Sequence, residues 1–164
     1  MVYDITREPN FDFGRMYEKV AQSIICRTKK VEVDHERDDC LYDFQTSDGL
    51  KYEVKANKDT KIWKTFYIEM TQSIFDGVEW SAYRPSGLKT SKADYWILLH
   101  GKSFYKILQT DLKLLILNNE SKYKRSYAKP NKTNRTTGVR VPTIDVARVS
   151  QALRIKKNDF DLKG

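Results

Sequence analysis

Apolar residues Phe13, Met16, Tyr17, Val20, Ala21 and Ile24 recur at three- and four-residue intervals. That stripe predicts a helix from about Asp12 to Arg27, with Asp12 as N-cap and one face buried. Glu18 falls beside the stripe, at the core margin. Gly14 in the first turn costs helix stability and marks close packing. A short strand is expected at 31–33, within the polar stretch KKVEVDHERDD. From residue 41 the pattern changes from helical to alternating. CLYDFQTSDGLKYEVK places Tyr42, Phe44, Thr46, Leu50, Tyr52 and Val54 on one face of a hairpin. Leu41, Asp43, Gln45, Lys51, Glu53 and Lys55 fall on the other. A two-residue Asp-Gly turn would mix these faces. A three-residue turn, Ser47-Asp48-Gly49 with glycine left-handed, sorts them and sets Asp43 opposite Glu53.

Further along, TFYIEM at 65–70 reads as a third strand continuing the hairpin as a meander. Residues 76–92 read as loop followed by a short helix or extended turn. ADYWILLHG and SFYKIL form a second hairpin, and Thr110-Asp111 caps a helix to about Asn118. Residues 122–140 read as a loop. VRVPTIDVARV adds an edge strand, with Pro142 keeping it at the edge. The order of elements predicts an α/β (α+β) fold, one domain over 1–164, with a mixed central sheet flanked by helices.

Composition narrows the function. No apolar run approaches the ~20 residues of a membrane span, LKLLILN at 112–118 being the densest stretch. The N-terminal MVYDITREPN lacks the pattern of a signal peptide. A non-secreted protein of the cytoplasm or nucleus, or a viral one in that milieu, is expected. Cys26 and Cys40 match no zinc spacing and suit reduced, structural thiols. Two isolated histidines, His35 and His100, argue against a histidine-rich zinc site. The formal net charge of +8 favours a polyanionic partner. The stretch KYKRSYAKPNKTNRTTGVR at 122–140 is rich in Lys and Arg, holds no acid and interleaves two tyrosines. That suits tracking of phosphates with stacking of bases. Candidate nucleic-acid contacts are Lys58, Lys61, Lys89, Lys92, Lys124, Arg125, Lys129, Lys132 and Arg135. Trp63, Trp80 and Trp96 are assigned to core or rim.

The opposed acids Asp43 and Glu53 raise a chemical question. Like charges directly across a sheet destabilise it, and each raises the other's pKa unless a cation lies between. A hard divalent ion, Mg²⁺ or Mn²⁺, resolves the conflict, because it takes oxygen ligands and a substrate phosphate. Lys55 on the same face would stabilise charge on a phosphoryl transition state. The bland alternative pairs Glu53 with Lys51 or Lys55 as exposed cross-strand ion pairs worth little; Glu69 either extends the metal site or pairs with Lys51, and pairing is the favoured assignment. Asp38 and Asp39 are loop acids.

Asp43, then Glu53-Val54-Lys55 ten residues on, resembles the D…E-x-K signature of the PD-(D/E)XK nuclease superfamily. The resemblance spans roughly residues 12 to 100. It implies a restriction-endonuclease-like core: helix, three-stranded antiparallel meander, helix and further strand (αβββαβ). Glu18 matches the glutamate that the first helix supplies in resolvase-like and phage-type members, so Glu18, Asp43 and Glu53 are the implied metal ligands, and these three with Lys55 the implied catalytic set. TFYIEM through PSGLKTSKADYWILL resembles a segment of phage-type members. Tyr42 stands where the family often has proline, and Gln72 matches a glutamine some members carry. The resemblance implies a Mg²⁺-dependent endodeoxyribonuclease, with DNA ahead of RNA as substrate. It points to Holliday-junction-resolvase-like action on branched DNA, and to a homodimer through an apolar face within 103–117. The alternatives are a non-catalytic nucleic-acid-binding module of the same fold and an accessory subunit of a protein partner.

Overall fold

The first helix, α1 (Pro9–Lys29), begins three residues ahead of the expected Asp12 cap. Proline suits a first turn, where its missing N–H would have had no helical partner. Val20, Ala21, Ile24 and Ile25 are buried and Phe13 and Tyr17 pack beside them, while Met16 is exposed. The buried face is thus turned towards Ile25 and away from Met16. Lys30 takes a left-handed φ of 54°, and the Val31 N–H donates to the Cys26 carbonyl at 3.2 Å, closing the helix end. The computed structural model describes residues 9–36, 41–56, 64–128 and 130–160, with side chains from residue 13 onward in α1.

After α1 come β1 (Val33–Glu36), β2 (Phe44–Thr46) and β3 (Lys51–Lys55), antiparallel in that order. The strand expected at 31–33 therefore lies slightly later. The predicted three-residue turn is present. Phe44 faces Tyr52, Gln45 faces Lys51, the Thr46 N–H donates to the Leu50 carbonyl at 3.0 Å, and Gly49 has φ +86°. Asp48 locks the turn by accepting from the Thr46 hydroxyl and pairing with Lys29 on α1 at 2.7 Å.

The expected continuation of the hairpin through 65–70 does not form, and the three-stranded antiparallel meander is β1-β2-β3 instead. β4 (Thr65–Ile74) leaves the hairpin, and the neighbour of β3 is instead β6 (Tyr95–His100), aligned parallel with Glu53 beside Trp96 and Lys55 beside Leu98. β6 turns at Gly101 into β7 (Ser103–Leu108), as predicted, and β10 (Gln151–Arg154) closes the sheet. The six-stranded order is β1-β2-β3-β6-β7-β10, a mixed sheet. β4 joins a second sheet of four strands with β5 (Arg84–Pro85), β8 (Lys124–Tyr127) and β9 (Asn134–Pro142), in the order β5-β4-β9-β8. Most of the basic stretch read as a loop is thus the β8–β9 hairpin. β9 is an inner strand rather than an edge, and Pro142 is tolerated because it is its last residue.

Two cores flank the six-stranded sheet. Phe44, Tyr52, Val54, Ile97, Leu99 and Phe104 meet α1. Trp96, Leu98 and Ile107 on the other face meet Phe66, Ile68 and Val141 of the second sheet. Leu112 and Ile116 of α2 (Gln109–Asn118) and Val146 of α3 (Thr143–Arg148) complete that second core. α2 begins at Gln109 without a side-chain cap, so Thr110 and Asp111 lie inside its first turn. The Gln109 side chain instead bridges two elements, accepting from the Trp96 indole N–H at 2.8 Å and donating to the Ser91 carbonyl at 3.1 Å. The protein is therefore a mixed α/β structure around a mixed central sheet. Among the described residues, no helix is long and apolar enough to cross a membrane.

Candidate active site

β3 alternates. Tyr52 and Val54 enter the α1 core, so Glu53 and Lys55 point to the opposite face, towards the second sheet. Asp43 lies one residue before β2 and is buried. Its N–H donates to the Tyr52 carbonyl at 2.8 Å, and its Oδ2 accepts from the Val54 N–H at 2.7 Å. This clamp fixes the carboxylate, and the hairpin register extended by one residue sets it opposite Glu53. The Lys55 Nζ lies 2.8 Å from Glu53 Oε1 and 5.7 Å from the centre of the Trp96 ring. Lys55 thus has an aromatic floor and an anionic neighbour.

Burial works to lower the Lys55 pKa. The Glu53 carboxylate, Asp43 and Glu69 outweigh it, so the ammonium is held above the ordinary lysine value. Lys55 is therefore a persistent positive charge. Glu69, half-buried on β4, is a member of this group that the sequence assigned elsewhere. Its charge acts on Lys55, while Lys51 lays its ammonium over the Tyr42 ring at 5.2 Å. The signal available in the sequence was the glutamate near the end of TFYIEM.

The loop RPSGLKTSK is the scaffold of the site. Ser86 donates its N–H to the Met70 carbonyl, and Gly87 has φ +55°. A Cβ at Gly87 would sit 2.2 Å from the Glu69 carbonyl oxygen, so only glycine permits this approach to β4. The Lys92 N–H and the Ser91 hydroxyl both donate to the Leu41 carbonyl, at 3.0 and 3.3 Å. One short segment thus ties the strand of Glu69 to the chain entering Asp43.

Glu18 is presented from the other layer. α1 covers the face opposite Glu53 and Lys55, and Glu18 is half-buried on it. Among the described residues, no three Asp, Glu, His or Cys side chains form a group that could hold a metal ion, so Glu18 is not gathered with Asp43 and Glu53. Those two carboxylates remain a pure oxygen donor pair. Mg²⁺ commonly takes one or two carboxylates, with waters and substrate phosphates filling the rest, so the pair fits such an ion.

Lys89 and Lys92 are exposed on the scaffold loop, Lys124 and Arg125 on β8, and Lys132 just before β9. Arg135 is half-buried, its guanidinium 4.5 Å from the Trp80 ring centre and 5.3 Å from that of Tyr83. Trp96 is fully buried, as the assignment to core requires. Lys58, Lys61, Lys129, Asp38, Asp39, Cys40 and Trp63 lie outside the described residues. Cys26 is half-buried, and burial, with Glu32 nearby, raises its thiol pKa. Within the expected apolar face, Leu108, Leu114 and Leu117 are exposed. No protein-family model, curated protein or solved structure matches the chain.

Proposed function

We propose that the protein is a divalent-metal-dependent nuclease that hydrolyses phosphodiester bonds in DNA, on a restriction-endonuclease-like core. One observation carries the reading: a clamped Asp43 opposite Glu53, with Lys55 held charged on the same face. Asp43 and Glu53 would hold Mg²⁺ or Mn²⁺. When bound, such an ion polarises a phosphoryl oxygen and lowers the pKa of water. Lys55 then aims a fixed positive charge at the oxygens where negative charge builds in the transition state. Because its pKa is raised, Lys55 serves as an electrostatic stabiliser rather than a general base. Glu53 orients it, the Trp96 ring floors it, and Glu69 extends the negative field. The half-buried setting strengthens these interactions relative to bulk water. Exposed cations on the scaffold loop and on β8 attract the phosphate backbone.

The test is cleavage of labelled linear, flap and four-way-junction DNA and of single-stranded RNA, with Mg²⁺, Mn²⁺ or EDTA. Asp43→Asn, Glu53→Gln and Lys55→Met should each lose about 10²- to 10³-fold in rate while retaining DNA binding. Glu18→Gln should change the rate only a few-fold, because α1 presents that residue from the other layer. Preference for the junction substrate would place the protein with branched-DNA enzymes. DNA binding without cleavage under any metal would replace the nuclease with a non-catalytic nucleic-acid-binding module.

A further inference from the structure

A groove of about 610 Å³ opens between the scaffold loop, α2 and the β8–β9 hairpin. Its floor is apolar, with Leu88, Ile116, Tyr123 and Val139 contributing. Lys89, Lys113 and Arg125 stand at its rim, and all three are exposed. Glu120 also lines it, 3.6 Å from Arg125, but both side chains are well exposed, so that ion pair is weak. Tyr127 lines the groove with 74% of its surface exposed.

An apolar floor, an exposed aromatic ring and a cationic rim together suit a ligand with a flat apolar body and an anionic tail. The volume lies within the ~300–1,000 Å³ of small-molecule sites and is too small for a base-paired duplex. An unpaired nucleotide has the right chemistry. Its base has a π-face for the tyrosine ring, and its phosphates match the rim. A second copy of this chain matches less well, since a rim of three cations would meet a protein of net charge +8.

The groove and the candidate active site draw on the same two segments of the chain. Met70 and Thr71, which line it, directly follow Glu69 on β4. Leu88 and Lys89 lie on the segment that Ser91 and Lys92 tie to the Leu41 carbonyl, two residues from Asp43. A strand seated in the groove and led along Lys89 and Lys92 would run towards the carboxylates. We infer that this groove binds an unpaired nucleotide of the substrate, so that the enzyme acts on DNA carrying a single-stranded segment beside the cut. The base lies against Tyr127 and the apolar floor, and the phosphates lie on Lys89, Lys113 and Arg125. The cut rests on the nuclease reading; the binding does not.

The experiment is fluorescence anisotropy with the full chain in EDTA, using a labelled oligodeoxythymidine and a blunt duplex of equal length. Tyr127→Ala should weaken single-strand binding roughly 5- to 160-fold, the loss of one base–aromatic stack, with duplex binding unchanged. The Lys89→Ala/Arg125→Ala double variant should flatten the salt dependence of single-strand binding by about 1.4 log units per log unit. Lys157→Ala, exposed and outside the groove lining, is the control, and circular dichroism checks folding. Equal single-strand binding by wild type and Tyr127→Ala, equal losses on both ligands, or no single-strand binding by wild type would each overturn the proposal. So would a stable dimer in sedimentation that Leu117→Glu dissociates while freeing the groove. Cleavage by wild type with normal binding by the groove variants would remove the groove and leave the nuclease. Groove-dependent binding with no cleavage under any metal would do the reverse.

Discussion

Asp43 serves the fold through one oxygen and the proposed chemistry through its charge, and two substitutions separate these roles. Its Oδ2 accepts from the Val54 N–H at 2.7 Å in a buried position. Asp43→Ala removes the acceptor and leaves that N–H in the middle of β3 without it, a loss of about 1–3 kcal/mol. Asp43→Asn keeps an amide oxygen in the same place. It also removes one of two facing acids, which offsets part of any loss. The alanine variant should therefore be about 2 kcal/mol less stable than the asparagine variant. Urea unfolding at pH 7.5 reads this directly. With a slope near 2 kcal/mol per molar, the two midpoints should differ by about 1 M. Both variants should be equally deficient in cleavage, because both lack the carboxylate. Coincident midpoints would refute the clamp. An Asp43→Asn variant that cuts as wild type would refute the assignment of its charge to the chemistry.

Two other perturbations follow from the geometry. Gly87→Ala forces a side chain into a left-handed conformation and against the Glu69 carbonyl. It should cost about 2–5 kcal/mol in urea unfolding, and a change under 1 kcal/mol would mean that β4 is not approached so closely. The hydrogen bond from Lys29 and then that from Thr46 lower the Asp48 pKa from 3.8 to about 2. A depressed carboxylate stabilises the fold above its unfolded pKa and loses that contribution as pH falls through about 2. With the side chain about a third exposed, solvent screening reduces the effect to about 1 kcal/mol. The stability difference between wild type and Asp48→Asn should thus shrink from that value at pH 5 to a small remainder at pH 2, vanishing only below it, and a pH-independent difference would contradict it.

Local rules carried the sequence reading as far as local interactions reach. The Asp43–Glu53 register was legible because Ser47-Asp48-Gly49 has one turn geometry that keeps Phe44, Tyr52 and Val54 on a single face, and burial against α1 penalises any slip. The hairpin of β6 and β7 was legible for the same reason. The partner of β3 was not. TFYIEM alternates in the same way whether it lies beside β3 or in another sheet, so its period says nothing about its neighbour. That choice is made by distant residues: Trp96 and Leu98 on β6 need Phe66 and Ile68 above them, not beside them. The β8–β9 hairpin was hidden by composition. Asn134, Arg135, Thr136 and Thr137 carry little apolar signal, yet they pair with β4 along its far half. The same limit explains the uneven reading of the site. Asp43, Glu53 and Lys55 sit on one hairpin, where turn chemistry alone brings them together. Glu18 and Glu69 arrive from elements whose placement depends on tertiary packing: Glu69 acts on Lys55 from β4, while Glu18 lies on α1, the helix that packs against the face carrying Tyr52 and Val54. Substitutions at Glu69 should therefore shift the charge state of Lys55, and with it the alkaline limb of the cleavage rate, while substitutions at Glu18 leave that limb in place.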